Sequence, residues 1–289
     1  MIFITGATGL LGSTLVPQLK LRGKTIVTHA HQSNADYSFS LTDKLKTSRL
    51  LDKLRPNMII NLVGLTSVER CQDQPNEAYL INTRIVEILA SWILDSGVDC
   101  HLIQISTDQV YDGEGPHTEN MTTITNNYAF SKYAGELAAA WVPSTILRTN
   151  FVGRSKIGGR ESHTDWVYNS LTIGKNVQVL NDVYFSPLSM ITLVQMIWLV
   201  VERKPLGIFN LGSHNGMTKA DFDFAFAELL RLPTTLMTRI AASQATFLRA
   251  YRPKDMRMNC SKFEETLGVI LPDLLDQIKS IAGEYNEAS

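Results

Sequence analysis

Short apolar runs alternate with amphipathic stretches along the first half of the chain. "MIFIT" is apolar and ends at a glycine cluster, and a helical pattern follows from Leu10 to Arg22 until Gly23 stops it. "KTIVTHA" predicts a second strand. "LTDKLKTSRLLDKLRP" reads as an amphipathic helix with Thr42 or Asp43 at its cap and Pro56 at its end. "NMIINLVG" is almost unbroken in its apolar run, as suits a parallel strand covered on both faces. "NEAYLINTRIVEILASWILDSG" predicts one long helix closed by Gly97, and "CHLIQIS" a fourth strand. Residues 125–141 predict another helix, and "STILRTNFVG" another strand. This alternation implies an α/β fold: a Rossmann-like, doubly wound parallel sheet with right-handed crossovers and helices on both faces.

Beyond residue 155 the pattern loosens. "GRSKIGGRESHTD" is a polar, glycine-bearing loop, "NVQVLND" and "GIFNLGS" are short strands, and "MITLVQMIWLVV" is too short for a membrane span and reads as a buried helix. Residues 1–155 are expected to form the main domain. Residues 156–289 are expected to form a smaller C-terminal lobe, interleaved with the first and packed on the C-terminal edges of its sheet.

Charge and cysteines narrow the function. A formal net charge of −1 argues against binding nucleic acid by phosphate neutralisation. The three cysteines, Cys71, Cys100 and Cys260, are widely spaced, with no CxxC and no zinc pattern, so reduced thiols in a cytoplasmic protein are expected and no metal site. The first charge is Lys20, so the apolar N-terminus reads as a strand and helix rather than a signal peptide, and no membrane association is expected.

The glycine cluster carries the first chemistry. "TGATGLLG" places Gly6, Gly9 and Gly12 between a strand and a helix, where the backbone can approach a pyrophosphate and the helix N-terminus offers free N–H groups. Where an NAD enzyme usually carries an acid for the ribose 2′-hydroxyl, the chain reads "VTHAHQSN", with no acid before Asp36. A 2′-phosphate would not be repelled there, and His29, His31, Gln32 and Ser33 could donate to it, so NADP(H) is favoured over NAD(H), and use of both stays open.

"NNYAFSKYAGE" sets Tyr128 four residues before Lys132, on one helix face. A free tyrosine has a pKa near 10 and is a poor acid at neutral pH, and a nearby ammonium lowers it. Upstream, "ISTDQVYDG" puts Ser106, Thr107 and Asp108 at the C-terminal end of a parallel strand, where open α/β sheets bind ligands.

Together these motifs resemble the extended short-chain dehydrogenase/reductase family. "INLVGLTSVERCQDQPNEAYLIN", "ISTDQVYDGEG", "NNYAFSKYAGE", "ILRTNFVG", "FSPLSM" and "RPKDMRMN" are similar to its dTDP-4-dehydrorhamnose reductase branch, which also includes the regulatory subunit of methionine adenosyltransferase. The resemblance runs over almost the whole chain and is strongest over residues 1–155.

The resemblance implies a ketoreductase acting on a nucleotide-linked 4-keto-6-deoxy sugar in deoxysugar biosynthesis. Tyr128 would donate the proton, Lys132 would lower its pKa and hold the nicotinamide ribose, and Thr107 would hydrogen-bond the reacting oxygen with Ser106 as understudy. The cofactor would lie along the loop of Gly6, Thr8, Gly9, Leu10, Leu11 and Gly12, with His31 and Asp43 towards the adenosine. Leu62, Val63 and Gly64 would line its groove, and Asn82, Ile105, Ser106 and Asn150 would complete the site. The substrate would meet Thr66, Val68, Thr107, Asp108 and Phe151, with Thr149 nearby, and Arg252 and Lys254 would face its diphosphate or nucleotide end. Family members are often dimers, so a homodimer is an expectation.

Three departures bear on the sugar. "RTNF" lacks the tryptophan common after this strand, Glu69 stands where the reductases usually carry Asp, and residues 231–251 match the branch poorly. Family dehydratases carry Thr-Asp-Glu at the strand end, so Thr107-Asp108-Gln109 disfavours that chemistry. A sugar-nucleotide epimerase and a non-catalytic regulatory subunit stay open. His101, His117, His163 and His214 are scattered and read as structural or exposed.

Overall fold

The computed structural model describes residues 1–32 and 34–286. The chain forms two compact units. The first comprises Met1–Thr107, Asn126–Arg148 and Val194–Phe209, and the second Asp108–Thr125, Thr149–Leu193 and Asn210–Ser289.

The first unit is built on the predicted parallel sheet. Its elements in chain order are β1 (Ile2–Thr5), α1 (Leu10–Leu21), β2 (Ile26–Ala30), β3 (Tyr37–Ser38), α2 (Lys44–Leu54), β4 (Met58–Asn61), α3 (Val68–Asp73), α4 (Pro75–Tyr79), α5 (Ile85–Ser96), β5 (His101–Ile105), α6 (Asn127–Ala139) and β6 (Ser144–Thr149). Strands β1 to β6 pair in parallel, and the sheet order is β11-β6-β5-β4-β1-β2-β3, with β11 at Gly207–Leu211. The order reverses beside β1, so the glycine loop after β1 opens at the switch point where such sheets bind ligands. Phe3, Leu51, Ile59, Val86, Leu89 and Leu102 are fully buried in the core, each contributing about 1.5–3 kcal/mol on burial.

Two sequence expectations fail here, for physical reasons. The single helix expected over residues 76–97 is interrupted by a π-helical turn at Leu80–Arg84 between α4 and α5, although Gly97 does close it with φ +64°. The turn pushes the Asn82 carbonyl against α6, which accepts it only because position 135 is glycine: a Cβ there would collide with that oxygen. A widening of one residue leaves little trace in helical periodicity. "STILRTNFVG" is likewise not one strand. It breaks at Asn150, and β7 (Phe151–Val152) leaves the ladder to pair in parallel with β10 (Leu188–Ser189) in the second unit.

The remaining elements are α7 (His163–Thr172), β8 (Val177–Leu180), β9 (Tyr184–Phe185), α8 (Met190–Arg203), β12 (Met217–Thr218), α9 (Lys219–Leu229), β13 (Met237–Ile240), α10 (Ser261–Leu267) and α11 (Leu274–Asn286). The second unit's core packs Phe222 and Phe226 of α9 with Ile278, Ile281 and Tyr285 of α11 and Val177 and Val179 of β8. Tyr285 satisfies its hydroxyl on Asp165 at 2.7 Å. Among the described residues, no helix is long and apolar enough to cross a membrane.

Candidate active site

The glycine loop turns as its sequence requires. Gly6 has φ +66°, and a Cβ there would lie 2.9 Å from the Leu62 backbone. At Gly12 a Cβ would lie 2.5 Å from the Ala7 carbonyl oxygen. Gly9 caps α1 without a side chain, and no acidic residue occupies the first turn. Leu11 and Gly12 are buried, Leu10 is half-buried and Thr8 is exposed. The helix end therefore presents bare N–H groups and uncompensated positive potential, which suits a pyrophosphate.

Beside this loop, a cleft of about 450 Å³ runs past His31, Gln32, Val63 and Gly64. Arg70 and Glu77 also line it, bonded to each other, and the sequence had singled out neither. His31 and Gln32 are exposed there, while Ser33 lies outside the described residues. His29 corrects an expectation. It is 2% exposed, its Nε2 lies 3.0 Å from the Phe39 carbonyl, and burial pushes its pKa down to about 4. A neutral, buried histidine is no phosphate donor. Asp36 folds back onto β2, accepting from the Thr28 amide and hydroxyl, both at 2.8 Å. Asp43 caps α2 by accepting from Lys46 N.

Tyr128 and Lys132, the pair expected to carry the chemistry, lie on the buried face of α6, 7% and 5% exposed. Asn126 fixes the start of the helix by accepting from Ala129 N at 2.8 Å. Lys132 Nζ donates to the Ile105 carbonyl oxygen at 2.6 Å, tying the helix to the end of β5. That carbonyl also accepts from Gln104, which bonds Asn61, which in turn accepts from Thr5. A buried chain of side chains thus links the ends of β1, β4 and β5 to the lysine. Burial pushes the Lys132 pKa down to about 8, against the pull of Glu136.

Ser106 and Thr107 follow directly and are both buried. Ser106 Oγ donates to Glu136, whose carboxylate is locked to Arg148 at 2.6 Å with both side chains 1% exposed. Asn82, in the π turn, clasps the Leu65 backbone on both sides and donates to Ser131 Oγ at 2.9 Å. Gly64 faces this clasp: a Cβ there would lie 3.7 Å from Lys132 Nζ. Of the other residues expected near the sugar in this unit, Thr66 is exposed and Val68 is buried at the start of α3. Sequence reasoning missed Glu136 and Arg148. The signal was present, since Glu136 continues the Tyr128–Lys132 face by one more turn.

In the second unit Asp108 is 1% exposed and accepts from Asn150 Nδ2 at 2.7 Å. Phe151 begins β7, half-buried, and Thr149 is buried. Arg252 donates to the Ala250 carbonyl. Lys254 is paired with Asp182 at 2.5 Å, so its charge is already balanced within the chain. The four scattered histidines have structural partners: His101 meets Thr145, His117 the Asp255 carbonyl, His163 Asp223 and His214 Glu264.

A glycine loop at the switch point of a parallel sheet, with a lysine docked on the end of β5 one turn after a buried tyrosine, defines a class: the extended short-chain dehydrogenases/reductases. The chain matches the family model described as the RmlD substrate binding domain over residues 1–287, and it belongs to that family. It is 28% identical to a probable low-salt glycan biosynthesis reductase, Agl14, of Haloferax volcanii, over 99% of both chains. It is 27% identical to a dTDP-4-dehydrorhamnose reductase of Shigella flexneri, covering 98% of this chain and 97% of that one. The crystal structure of a dTDP-4-dehydrorhamnose reductase from Clostridium acetobutylicum superposes with a TM-score of 0.85 at 26% identity, over 99% of both chains.

Proposed function

We propose that the protein is an NAD(P)H-dependent ketoreductase that reduces the C4 ketone of a nucleotide-linked 4-keto-6-deoxy sugar, as dTDP-4-dehydrorhamnose reductase does. The observation that carries the reading is the Lys132 Nζ bond to Ile105 O, which fixes a depressed-pKa ammonium one turn from the buried Tyr128. The glycine loop suits a dinucleotide, because Gly6 and Gly12 let it pack tightly on the Leu62 and Ala7 backbone while the N-terminus of α1 stays free of a capping side chain and of acidic residues. When bound, a nicotinamide cofactor supplies the hydride.

Tyr128 gives its phenolic proton to the ketone oxygen as the C4–H bond forms, so ketone becomes alcohol with no covalent intermediate. Lys132 stabilises the phenolate left behind and holds the nicotinamide ribose. Thr107 steadies the reacting oxygen, with Ser106 held back by Glu136. Asp108, Asn150 and Phe151 meet the sugar, and Arg252 faces the diphosphate. NADP(H) is favoured, with NAD(H) left open, because the first acid after β2 is turned onto Thr28 and exposed His31 and Gln32 remain to meet a 2′-phosphate. In this reading residues 1–155 bind the cofactor and residues 156–289 the substrate. The cytoplasm is the proposed setting, in keeping with three free, buried cysteines.

Absorbance-monitored oxidation of NADPH, with NADH in parallel, tests this against freshly generated dTDP-4-keto-6-deoxy sugar. Consumption with a preference for NADPH is expected. Tight cofactor binding without consumption of either would overturn the reading.

A further inference from the structure

Lys219 is the first residue of α9, and its amide is pinned to the Val183 carbonyl at 2.9 Å. Its ammonium lies 5.7 Å from the centre of the Phe185 ring. Among the described residues it has no carboxylate within ion-pair reach; Asp108 and Asp223 act on it only at longer range. Asp223 already holds His163 at 2.6 Å, and Asp108 already accepts from Asn150. Arg252 adds positive charge nearby. The helix adds more, since Lys219 occupies its positive end, where a cation is disfavoured. The nearest first-turn acid, Asp221, is engaged by Thr218 and Arg239. Burial pushes the Lys219 pKa below the usual lysine range.

Lys254 and Arg257 of this unit, by contrast, each have a carboxylate partner, Asp182 and Asp255. A half-buried ammonium at a helix N-terminus, repelled by the charge of Arg252, is an arrangement that an incoming anion relieves. We propose that Lys219, together with Arg252, takes the phosphoryl oxygens of the substrate's diphosphate and is a specificity-determining residue of the reaction. The inference rests on the preceding reading only in taking the substrate to be a nucleotide sugar. It also replaces Lys254, which the sequence suggested, as the second cation.

Calorimetric titration with dTDP and with thymidine, on the wild-type chain and on Lys219→Met and Lys219→Arg, tests it without turnover. Lys219→Met is expected to weaken dTDP binding about ten- to a hundredfold, the loss of one charge-assisted hydrogen bond. Thymidine binding is expected to stay unchanged, and Lys219→Arg to recover most of the dTDP affinity. The melting temperature of ligand-free Lys219→Met is expected to equal or exceed that of wild type, because an uncompensated charge has been removed. Unchanged dTDP affinity in Lys219→Met would overturn the inference, as would a wild-type chain that binds no dTDP. Lys219-dependent dTDP binding without keto-sugar reduction would overturn the reductase reading alone. Reduction with Lys219-independent dTDP binding would overturn this inference alone.

Discussion

Lys132 and Lys219 are the same side chain in two settings, one buried and one half-buried, one in each unit, and the chain treats them differently. Lys132 donates to a strand-end carbonyl at 2.6 Å and has Glu136 one turn along its own helix. Lys219 has an aromatic ring and a helix N-terminus about it and the charge of an arginine nearby, and among the described residues it has no carboxylate within ion-pair distance. In both, burial depresses the pKa. The lesson lies in what compensates the charge. A lysine held by a strand-end carbonyl, with a carboxylate one turn along its helix, is supported by the protein itself. A lysine left short is complete only when a ligand brings the missing charge.

The contrast can be broken at its strongest point through Tyr128. Tyr128→Phe keeps the ring and removes the acid, so kcat is expected to fall by about 10²–10⁴ while cofactor affinity, followed by fluorescence titration, is retained. Turnover at the wild-type rate would remove Tyr128 as the acid and leave Lys132 only its hold on the nicotinamide ribose.

A smaller effect is expected from making Lys132 resemble Lys219. Glu136→Gln takes away the carboxylate that balances Arg148 and faces Lys132, leaving a buried guanidinium uncompensated. A loss of about 3–5 kcal/mol in a denaturant melt is expected, as for other broken buried pairs. A variant as stable as wild type would mean that water reaches this pair.

The smallest effect concerns pH. The folded Lys132 pKa is about 8 against an ordinary 10.5, so between these values the unfolded chain binds more protons than the folded one. The cost of holding the charge in a dry site is therefore complete below about pH 8, and stability recovers as pH rises through the window. Melts of wild type and Lys132→Met across that range should differ progressively in favour of wild type as pH rises. A difference that does not move with pH would mean that the ammonium is solvated.

Much of the first unit was legible because its rules are local. A glycine after a strand, an aspartate before a helix and a tyrosine four residues from a lysine each act within one or two turns of chain. The alternation of strand and helix needed only apolar periodicity. What escaped was decided over longer distances. His29 looked like a polar strand-end residue, yet it faces Phe39 and the core. Lys254 looked like a phosphate ligand until Asp182, 72 residues away in sequence, came to meet it. Lys219 carried no motif at all, since a lysine opening a helix is ordinary until its surroundings are known.

The sequence by itself determined the parallel sheet, the dinucleotide loop and the tyrosine–lysine pair, because backbone sterics and neighbouring positions on one helix face settle those locally. Only the tertiary structure decided which charges are balanced. Whether a lysine meets a carbonyl, a carboxylate or nothing depends on segments scores of residues apart, and on how much water their packing leaves between them.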